Sequence, residues 1–422
     1  MRKKANNPKE TTYDIESYRR KKKREKRVRR LLQLLAVLLL VGGAAGFFYL
    51  YSRYDLGALL QSGQAQSDAS ASQSGTVQTG SFPVYLDAVS PLEIELFGDG
   101  MILLTNEEAA VLGGDGSVSS QFVHTYTNPV LRTGDSRYLL YDRGGYGYRV
   151  QNARETIAEG RTTDTILSGA CGHDSTFALV TSASRYAGSV QVYGKNGREL
   201  LSWYSSEQII DLAFSPDDRY LAVATVVFDN AGSLNARVHL FDLDREEEVA
   251  SADFSDAVPL AVNILEGGAV HLVTDTFLGI LSEDFSEQSK VPYLQTLRKY
   301  QFSHTATLLV TSSANEVSST LSLVSENGEK KEQTVRNSVT DVSLSSEGLC
   351  VLAGGSARVY SPELEMVQTE QVANDVFQIL YSGGEIYTMS SSMLDQLSRA
   401  SGETDSASSA PAQTSSEEGS DE

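Results

Sequence analysis

A strand, a short polar turn and a second apolar strand recur through most of this 422-residue chain. The copy at residues 211–225 reads DLAFSPDDRYLAVAT, and its Ser-Pro-Asp-Asp segment has the chemistry of a turn between two antiparallel strands. Seven further copies lie at residues 94–106, 131–142, 167–182, 261–275, 300–313, 341–355 and 376–390. The copies begin 35 to 50 residues apart, which is close to the spacing of blades in a β-propeller.

Each copy belongs to a longer unit of about four strands. Another strand and polar turn follow several copies, as in AAVLGGDGS at residues 109–117 and RVHLFDLDREEE at residues 237–248. Residues 220–228, YLAVATVVF, are apolar on both strand faces, as expected for a strand that neighbouring blades cover on both sides. These features predict an all-β fold, a propeller of about eight four-stranded blades, with seven as the alternative.

A closed propeller needs a device that joins its last blade to its first, because an open ring would expose sheet edges. The last repeat, which begins at residue 376, has room for about three strands. The segment SFPVYLDAVS at residues 81–90 precedes the first full repeat. We therefore predict that residues 84–88 form the outer strand of the last blade.

The first 51 residues predict a membrane anchor. Residues 1–30 contain 14 Lys and Arg against 4 Asp and Glu, and an apolar stretch of 21 residues follows from Leu31 to Tyr51. This length spans a hydrocarbon core of about 30 Å as a helix, and the basic side is expected in the cytoplasm. The prediction is a single-pass plasma-membrane protein whose larger part is extracytoplasmic. A cleaved signal peptide is the alternative for residues 31–51, and binding of anionic lipid or nucleic acid is an alternative role for the basic tail.

Two segments of low complexity flank the repeats. Residues 52–80 are rich in Ser, Gln, Ala and Gly, and residues 401–422 carry six acids and no base. Such compositions bury too little apolar surface to fold alone. The predicted organisation is a basic tail at 1–30, a transmembrane helix at 31–51, a flexible tether at 52–80, a propeller at 81–400 and a disordered acidic tail at 401–422.

The repeat at residues 211–225, followed by ARVHLFDLDREEEVAS at residues 236–251, resembles a blade of the WD-repeat and TolB-like propellers. The Trp-Asp ending of true WD repeats is replaced by FDLD at residues 241–244. The layout of basic tail, single span, tether and propeller is similar to an uncharacterised family of membrane-anchored propellers in Gram-positive bacteria. The resemblance implies a fold and a location, and no activity.

Catalytic, cofactor and metal motifs are not apparent. The five histidines, His124, His173, His239, His271 and His304, fall in different repeats without a second ligand at metal-binding spacing. The two cysteines, Cys171 and Cys350, form no CxxC motif. We therefore predict no catalytic residues, no cofactor and no metal.

The most distinctive stretch is YDRGGYGYRV at residues 141–150. Tyrosine and arginine are favoured at binding hot spots, so this stretch is a candidate partner-binding patch. Its members are Tyr141, Arg143, Tyr146, Tyr148 and Arg149. Packing of an unusual hairpin is the alternative role for Tyr146 and Tyr148.

Charge and motifs leave two hypotheses for function. Residues 81–400 contain 20 Lys and Arg against 43 Asp and Glu, and this excess of acids opposes nucleic-acid binding by the propeller. The favoured hypothesis is a non-catalytic binding or scaffold module for a cell-envelope protein or a cell-wall ligand. The alternative is an extracellular carbohydrate-active hydrolase or lyase with carboxylates in the central channel, for which Asp87, Asp135 and Asp164 are candidates.

Overall fold

The computed structural model describes residues 81–397, apart from 87–88, 196, 229–231, 314 and 316. Regular structure in these residues consists of strands alone. None of the described segments is a helix long and apolar enough to cross a membrane. The predicted basic tail, membrane span and tether at residues 1–80, and the predicted acidic tail at residues 401–422, lie outside the described residues.

The strands form eight four-stranded antiparallel sheets, which are the blades. Blades 1 to 3 contain β2 (Pro91–Phe97), β3 (Gly100–Thr105), β4 (Glu108–Leu112) and β5 (Val118–Val123); β6 (Pro129–Thr133), β7 (Tyr138–Asp142), β8 (Gly147–Gln151) and β9 (Thr156–Arg161); and β10 (Ile166–Cys171), β11 (Phe177–Ala183), β12 (Tyr186–Tyr193) and β13 (Glu199–Ser205). Blades 4 to 6 contain β14 (Gln208–Phe214), β15 (Tyr220–Phe228), β16 (Leu234–Asp242) and β17 (Glu247–Phe254); β18 (Pro259–Ile264), β19 (Val270–Thr274), β20 (Phe277–Leu281) and β21 (Gln288–Pro292); and β22 (Thr296–Phe302), β23 (Ala306–Ser312), β24 (Ser318–Ser325) and β25 (Lys330–Arg336). Blades 7 and 8 contain β26 (Val339–Ser345), β27 (Gly348–Ala353), β28 (Ser356–Tyr360) and β29 (Met366–Gln371); and β30 (Gln378–Ser382), β31 (Glu385–Met389), β32 (Met393–Leu397) and β1 (Val84–Tyr85).

The blades form a closed ring around a central channel. Strands lie side by side in chain order in blades 1 to 7, and the first strands of neighbouring blades contact each other at seven of the eight junctions. At the remaining junction, an apolar cluster joins blade 5 to blade 6. Strand β2 of blade 1 contacts both β6 of blade 2 and β30 of blade 8. The eight-bladed all-β propeller predicted from the repeats is confirmed, and the seven-blade alternative is wrong.

Burial follows position within the blade. In blade 6 every residue of β23 is buried, whereas the outermost strand β25 has a single buried residue, Val335. The middle strands lose polar alternation because side chains from two neighbouring blades cover their two faces. One cluster, for example, joins Val180 and Val190 of blade 3 to Leu212 and Val223 of blade 4. The core is therefore a series of interfaces between blades.

The turn of the opening repeat shows how local sequence builds a blade. Tyr220 donates its backbone N–H to Ser215 Oγ at 2.8 Å, and Ser215 Oγ donates to Asp217 Oδ1 at 2.5 Å. Asp218 has a φ of 58°, a left-handed conformation that Asp tolerates better than most residues. The Ser-Pro-Asp-Asp segment therefore forms a tight hairpin between β14 and β15.

The ring closes where the N-terminal segment joins the last blade. Strand β1 is antiparallel to β32, with Val84 opposite Leu394 and Tyr85 opposite Met393. The Phe82 and Tyr387 rings also contact each other, with centroids 5.4 Å apart. The predicted closure is confirmed for Val84 and Tyr85, while Asp87 and Ala88 lie outside the described residues.

The propeller has two chemically different ends. Hairpin turns join the first strand of a blade to its second strand, and the third strand to the outermost strand. We call the side of the propeller that carries these hairpin turns the turn end. We call loop end the opposite side, which has the connections between the second and third strands and those from blade to blade. Strand β1 begins at the turn end and β32 finishes there, because the two strands are antiparallel neighbours. The described chain therefore both enters and leaves the propeller at its turn end.

Candidate binding surfaces

Exposed large hydrophobic side chains are concentrated at the loop end. The described residues include seventeen such side chains, and thirteen of them lie in loop-end connections or at the adjoining strand ends. These are Tyr85, Leu92, Val123, Tyr146, Leu167, Tyr186, Tyr204, Phe228, Leu234, Leu260, Leu294, Val317 and Phe377. The most exposed is Leu294, at 88%, in the connection from blade 5 to blade 6. Apolar side chains gathered on one end of a propeller make that end a candidate interaction surface.

A recurring β-bulge brings three of these side chains to the mouth of the channel. The pairing of the innermost strand shifts register between Pro91 and Glu93, which leaves Leu92 outside the ladder. The same shift at the same place leaves Leu167 of blade 3 and Leu260 of blade 5 unpaired. A bulge redirects the side chain of its extra residue, so these leucines are exposed although their strands are in the core.

The Tyr and Arg patch predicted from residues 141–150 is divided between the core and the surface. Tyr141 is fully buried, and Tyr148 packs on Phe177 with ring centroids 5.8 Å apart. Arg149 hydrogen-bonds Thr156 Oγ1 through Nη2 at 2.6 Å. Tyr141 is therefore a core residue, Tyr148 packs blade 2 against blade 3, and Arg149 links β8 to β9.

The other two members of that patch lie at the loop end. Arg143 and Tyr146 are exposed in the connection between β7 and β8. The guanidinium of Arg161 lies over the Tyr146 ring, 5.7 Å from its centroid. Arg143 and Tyr146 thus belong to the same surface as the exposed leucines.

An ion-pair network in blade 4 stiffens part of the loop end. Arg237 donates Nη1 to Glu207 at 2.6 Å and Nη2 to Asp253 at 2.8 Å. The hydrogen bond to Asp253 raises the pKa of Arg237, so the guanidinium stays charged.

The buried His239 ring lies between two carboxylates, with Nε2 3.0 Å from Glu207 Oε2 and Nδ1 2.9 Å from Glu248 Oε1. Burial opposes ionisation of Glu207, but hydrogen bonds from Thr225 and His239 hold its pKa below the ordinary value.

The channel contains a set of charged groups that sequence reasoning missed. Glu93 and Glu95 come from blade 1, Arg132 from blade 2, Asp211 from blade 4 and Asp341 from blade 7. Protein atoms surround most of each side chain, and all five residues are half-buried. Burial raises the pKa of Asp211 to about 6, and burial together with the charge of Glu93 raises the pKa of Glu95 to about 8. Arg132 partly offsets both effects.

The spacing of Glu93 and Glu95 does not match that of a glycosidase pair. Glu93 and Glu95 are hydrogen-bonded to each other on one strand, whereas glycosidase carboxylates flank the scissile bond at about 5 to 9.5 Å from each other. Asp341 Oδ1 accepts a hydrogen bond from Lys299 Nζ at 2.9 Å, and Asp341 Oδ2 accepts one from Ile379 N at 2.9 Å. Asp211 Oδ2 similarly accepts from Val262 N at 3.0 Å. Asp211 and Asp341 therefore fasten one blade to the next.

Asp135 and Asp164, two of the carboxylates named from the sequence, lie at opposite ends of the propeller. Asp135 lies in a turn-end hairpin of blade 2, and Asp164 lies in the loop-end connection from blade 2 to blade 3. Asp87 is outside the described residues.

Asp135 Oδ2 is 3.1 Å from His173 Nδ1, and the His173 ring is 5.7 Å from that of His304 across the channel mouth. No group of three or more His, Cys, Asp and Glu side chains that could hold a metal ion occurs in the described part of the chain.

Comparisons with known proteins place the chain in a family. The model of a family of unknown function, DUF5711, matches residues 86–397. The chain belongs to this family. The match covers the propeller from immediately after β1 to the end of β32. A comparison with curated protein sequences finds no match.

Solved structures confirm the propeller fold. BamB from Moraxella catarrhalis is 13% identical with a TM-score of 0.51, and the alignment covers 77% of this chain and 98% of BamB. Sqt1 from Saccharomyces cerevisiae is 11% identical with a TM-score of 0.54, covering 74% of this chain and 98% of Sqt1. Apo AztD from Citrobacter koseri is 8% identical with a TM-score of 0.50, covering 72% of this chain and 95% of AztD. At such identities the DUF5711 chain shares a fold with these proteins, and function has to be argued from its own surfaces.

Proposed function

We propose that this DUF5711 protein is a membrane-anchored, extracytoplasmic binding module that presents its loop end to a protein partner of the cell envelope. The observation that carries the proposal is the concentration of exposed large hydrophobic side chains at that end. Leu92, Leu167 and Leu260 offer an apolar centre around the channel mouth, and Tyr146, Tyr186 and Tyr204 lie farther out. Aromatic and aliphatic anchors surrounded by polar groups are typical of protein-binding sites.

The path of the chain is compatible with this role. The chain enters β1 at the turn end, so the point of attachment is at the end of the ring opposite the proposed binding surface.

A rigid ring suits such a role. Adjacent blades are linked by hydrogen bonds in which a backbone N–H of one blade donates to an inner-strand side chain of the preceding blade, as from Leu344 N to Gln301 Oε1 and from Ile379 N to Asp341 Oδ2. A partner that binds this surface therefore loses little affinity to ordering of the platform.

The test is crosslinking of the full-length protein in cells, followed by mass spectrometry of captured proteins. Wild type is compared with a loop-end variant, Leu260→Glu/Leu294→Glu, and with a turn-end control, Met366→Glu/Val367→Glu. All four side chains are exposed, so both variants should fold. A partner captured by wild type and by the control, but lost with the loop-end variant, supports the proposal. A partner lost only with the control contradicts the proposed surface.

Location needs its own experiment. Protease added to intact cells should degrade the propeller of the anchored protein and spare an epitope tag placed before residue 1. Degradation of the tag with protection of the propeller would reverse the proposed topology.

A further inference from the structure

A cavity of about 450 Å³ opens at the turn end, beside the channel mouth. It is lined by hairpin turns of several blades, including residues 303–305 of blade 6 and residues 361, 362 and 364 of blade 7. Its volume is within the usual range for sites that bind small molecules, roughly 300 to 1,000 Å³. The loop-end surface proposed for a protein partner is at the other end of the ring.

The wall between blades 6 and 7 is apolar. Ala306, Leu323, Leu344, Leu349 and Leu364 line it, and all but Leu323 are buried. Such a wall favours a ligand with a hydrocarbon portion.

Two carboxylates, Asp135 and Glu266, lie at the polar side of the cavity. Their positions are fixed by the backbone: Asp135 N donates to His173 O at 3.0 Å, and Glu266 N donates to His304 O at 2.7 Å. Asp135 Oδ2 is also 3.1 Å from His173 Nδ1, and the His173 and His304 rings contact each other, so Asp135 and Glu266 are the neighbours of a histidine pair. No lysine or arginine lines this cavity among the described residues.

The surroundings reinforce the negative potential. The hairpin turns at this end contain 18 Asp and Glu against six Lys and Arg. A concave site edged with like charges concentrates counter-ions of opposite sign. The same field disfavours carboxylates, phosphates and sulfates.

We propose that this cavity binds an organic cation, an ammonium or guanidinium group carried on an apolar stem. The cationic group lies between Asp135 and Glu266, and the stem packs against Leu344, Leu349 and Leu364. His304 forms the boundary between these two regions of the cavity. The site is separate from the loop-end surface and does not depend on the proposed protein partner.

The test uses isothermal titration calorimetry on the purified full-length protein in detergent, with three probes of similar shape: phenethylamine, 2-phenylethanol and phenylacetate. We expect the amine to bind at least about tenfold more tightly than the alcohol, since a charge paired on binding contributes over 1.4 kcal/mol, and we expect no binding of the carboxylate. Equal affinity for amine and alcohol would overturn the proposal.

Variants then locate the binding. Asp135→Asn/Glu266→Gln should weaken phenethylamine binding by about tenfold or more. The matched control, Glu246→Gln/Glu247→Gln, removes the same charge from an exposed turn of blade 4 and should change affinity less than about twofold. Thr305→Trp, an exposed position on the cavity rim, should abolish binding by filling the space. Equal losses in the two charge variants, or unchanged binding to Thr305→Trp, would show general attraction to the acidic end and contradict the site.

Discussion

The side chain of Gln378 holds the backbone of Ile94, 284 residues earlier in the chain, through two hydrogen bonds. Ile94 N donates to Gln378 Oε1 at 2.9 Å, and Gln378 Nε2 donates to Ile94 O at 2.8 Å. Gln378 lies on the inner strand of blade 8 and Ile94 on that of blade 1. The ring is therefore closed at two places. Strand β1 completes the outer edge of blade 8, and the Gln378 amide links the inner strands of blades 8 and 1.

Removing the inner link should destabilise the ring. Gln378→Ala deletes both hydrogen bonds and leaves the N–H and carbonyl of Ile94 without these partners, so we expect a loss of about 2–3 kcal/mol in the free energy of unfolding. Chemical denaturation measures this change in the free energy of unfolding. Gln121→Ala, at an exposed position on β5, is the control and should lose less than about 0.5 kcal/mol. Equal losses in the two variants would mean that the Gln378 link does not hold the ring.

The outer closure can be tested on two neighbouring residues of β1. Val84 is buried against the last blade, whereas Tyr85 is 52% exposed. Val84→Asp places a carboxylate in an apolar interface and should cost about 3–5 kcal/mol, while Tyr85→Asp should cost about 1 kcal/mol or less. Thermal unfolding of both variants measures the difference. If Val84→Asp unfolds at the wild-type temperature, β1 contributes nothing to closure.

The fold could be predicted because its signals are local. The apolar run at residues 220–228 becomes the buried strand β15, and the segment before it forms the expected hairpin. Counting strands also located the closing strand, since the last repeat supplied only three. In a fold built of similar units, the same local sequence pattern recurs in every blade.

The channel and cavity groups could not be predicted, because their convergence depends on the ring. Which face of an inner strand meets the channel is set by a bulge such as that at Leu92, and one extra residue reverses the alternation. Asp135, His173 and His304 come from three blades and meet only after the ring closes. Leu92, Leu167 and Leu260 likewise look like core residues in the sequence, and only their position at the bulge exposes them.

Glu95 should make the propeller less stable at alkaline pH. Burial and Glu93 raise its pKa from 4.5 to about 8 in the folded state. A carboxyl whose pKa is raised in the folded state contributes its full stabilisation of the fold below pH 4.5, and this contribution is lost as the pH rises towards 8. Glu95→Gln keeps a neutral side chain at every pH, so it should be more stable than wild type by up to about 4 kcal/mol at pH 9 and similar to it at pH 4.5.

Thermal unfolding at pH 4.5, 7 and 9 measures this effect. The control is Glu155→Gln, an exposed residue in a hairpin turn of blade 2, which should follow wild type at each pH. A Glu95→Gln variant with the same pH dependence as wild type would contradict the raised pKa.

His271 should set part of the acid limit of stability. It is fully buried in β19, Nδ1 is 2.8 Å from Thr307 Oγ1 of the next blade, and burial lowers its pKa from 6.5 to about 4. The unfolded chain therefore takes up a proton at a higher pH than the folded chain, and stability falls by up to about 3 kcal/mol as the pH drops from 6.5 to 4. His271→Gln can keep a hydrogen bond to Thr307 and cannot titrate, so its unfolding temperature should fall less steeply over this range, whatever its value at pH 7. If wild type and variant lose stability in parallel, protonation of His271 is not what limits the fold in acid.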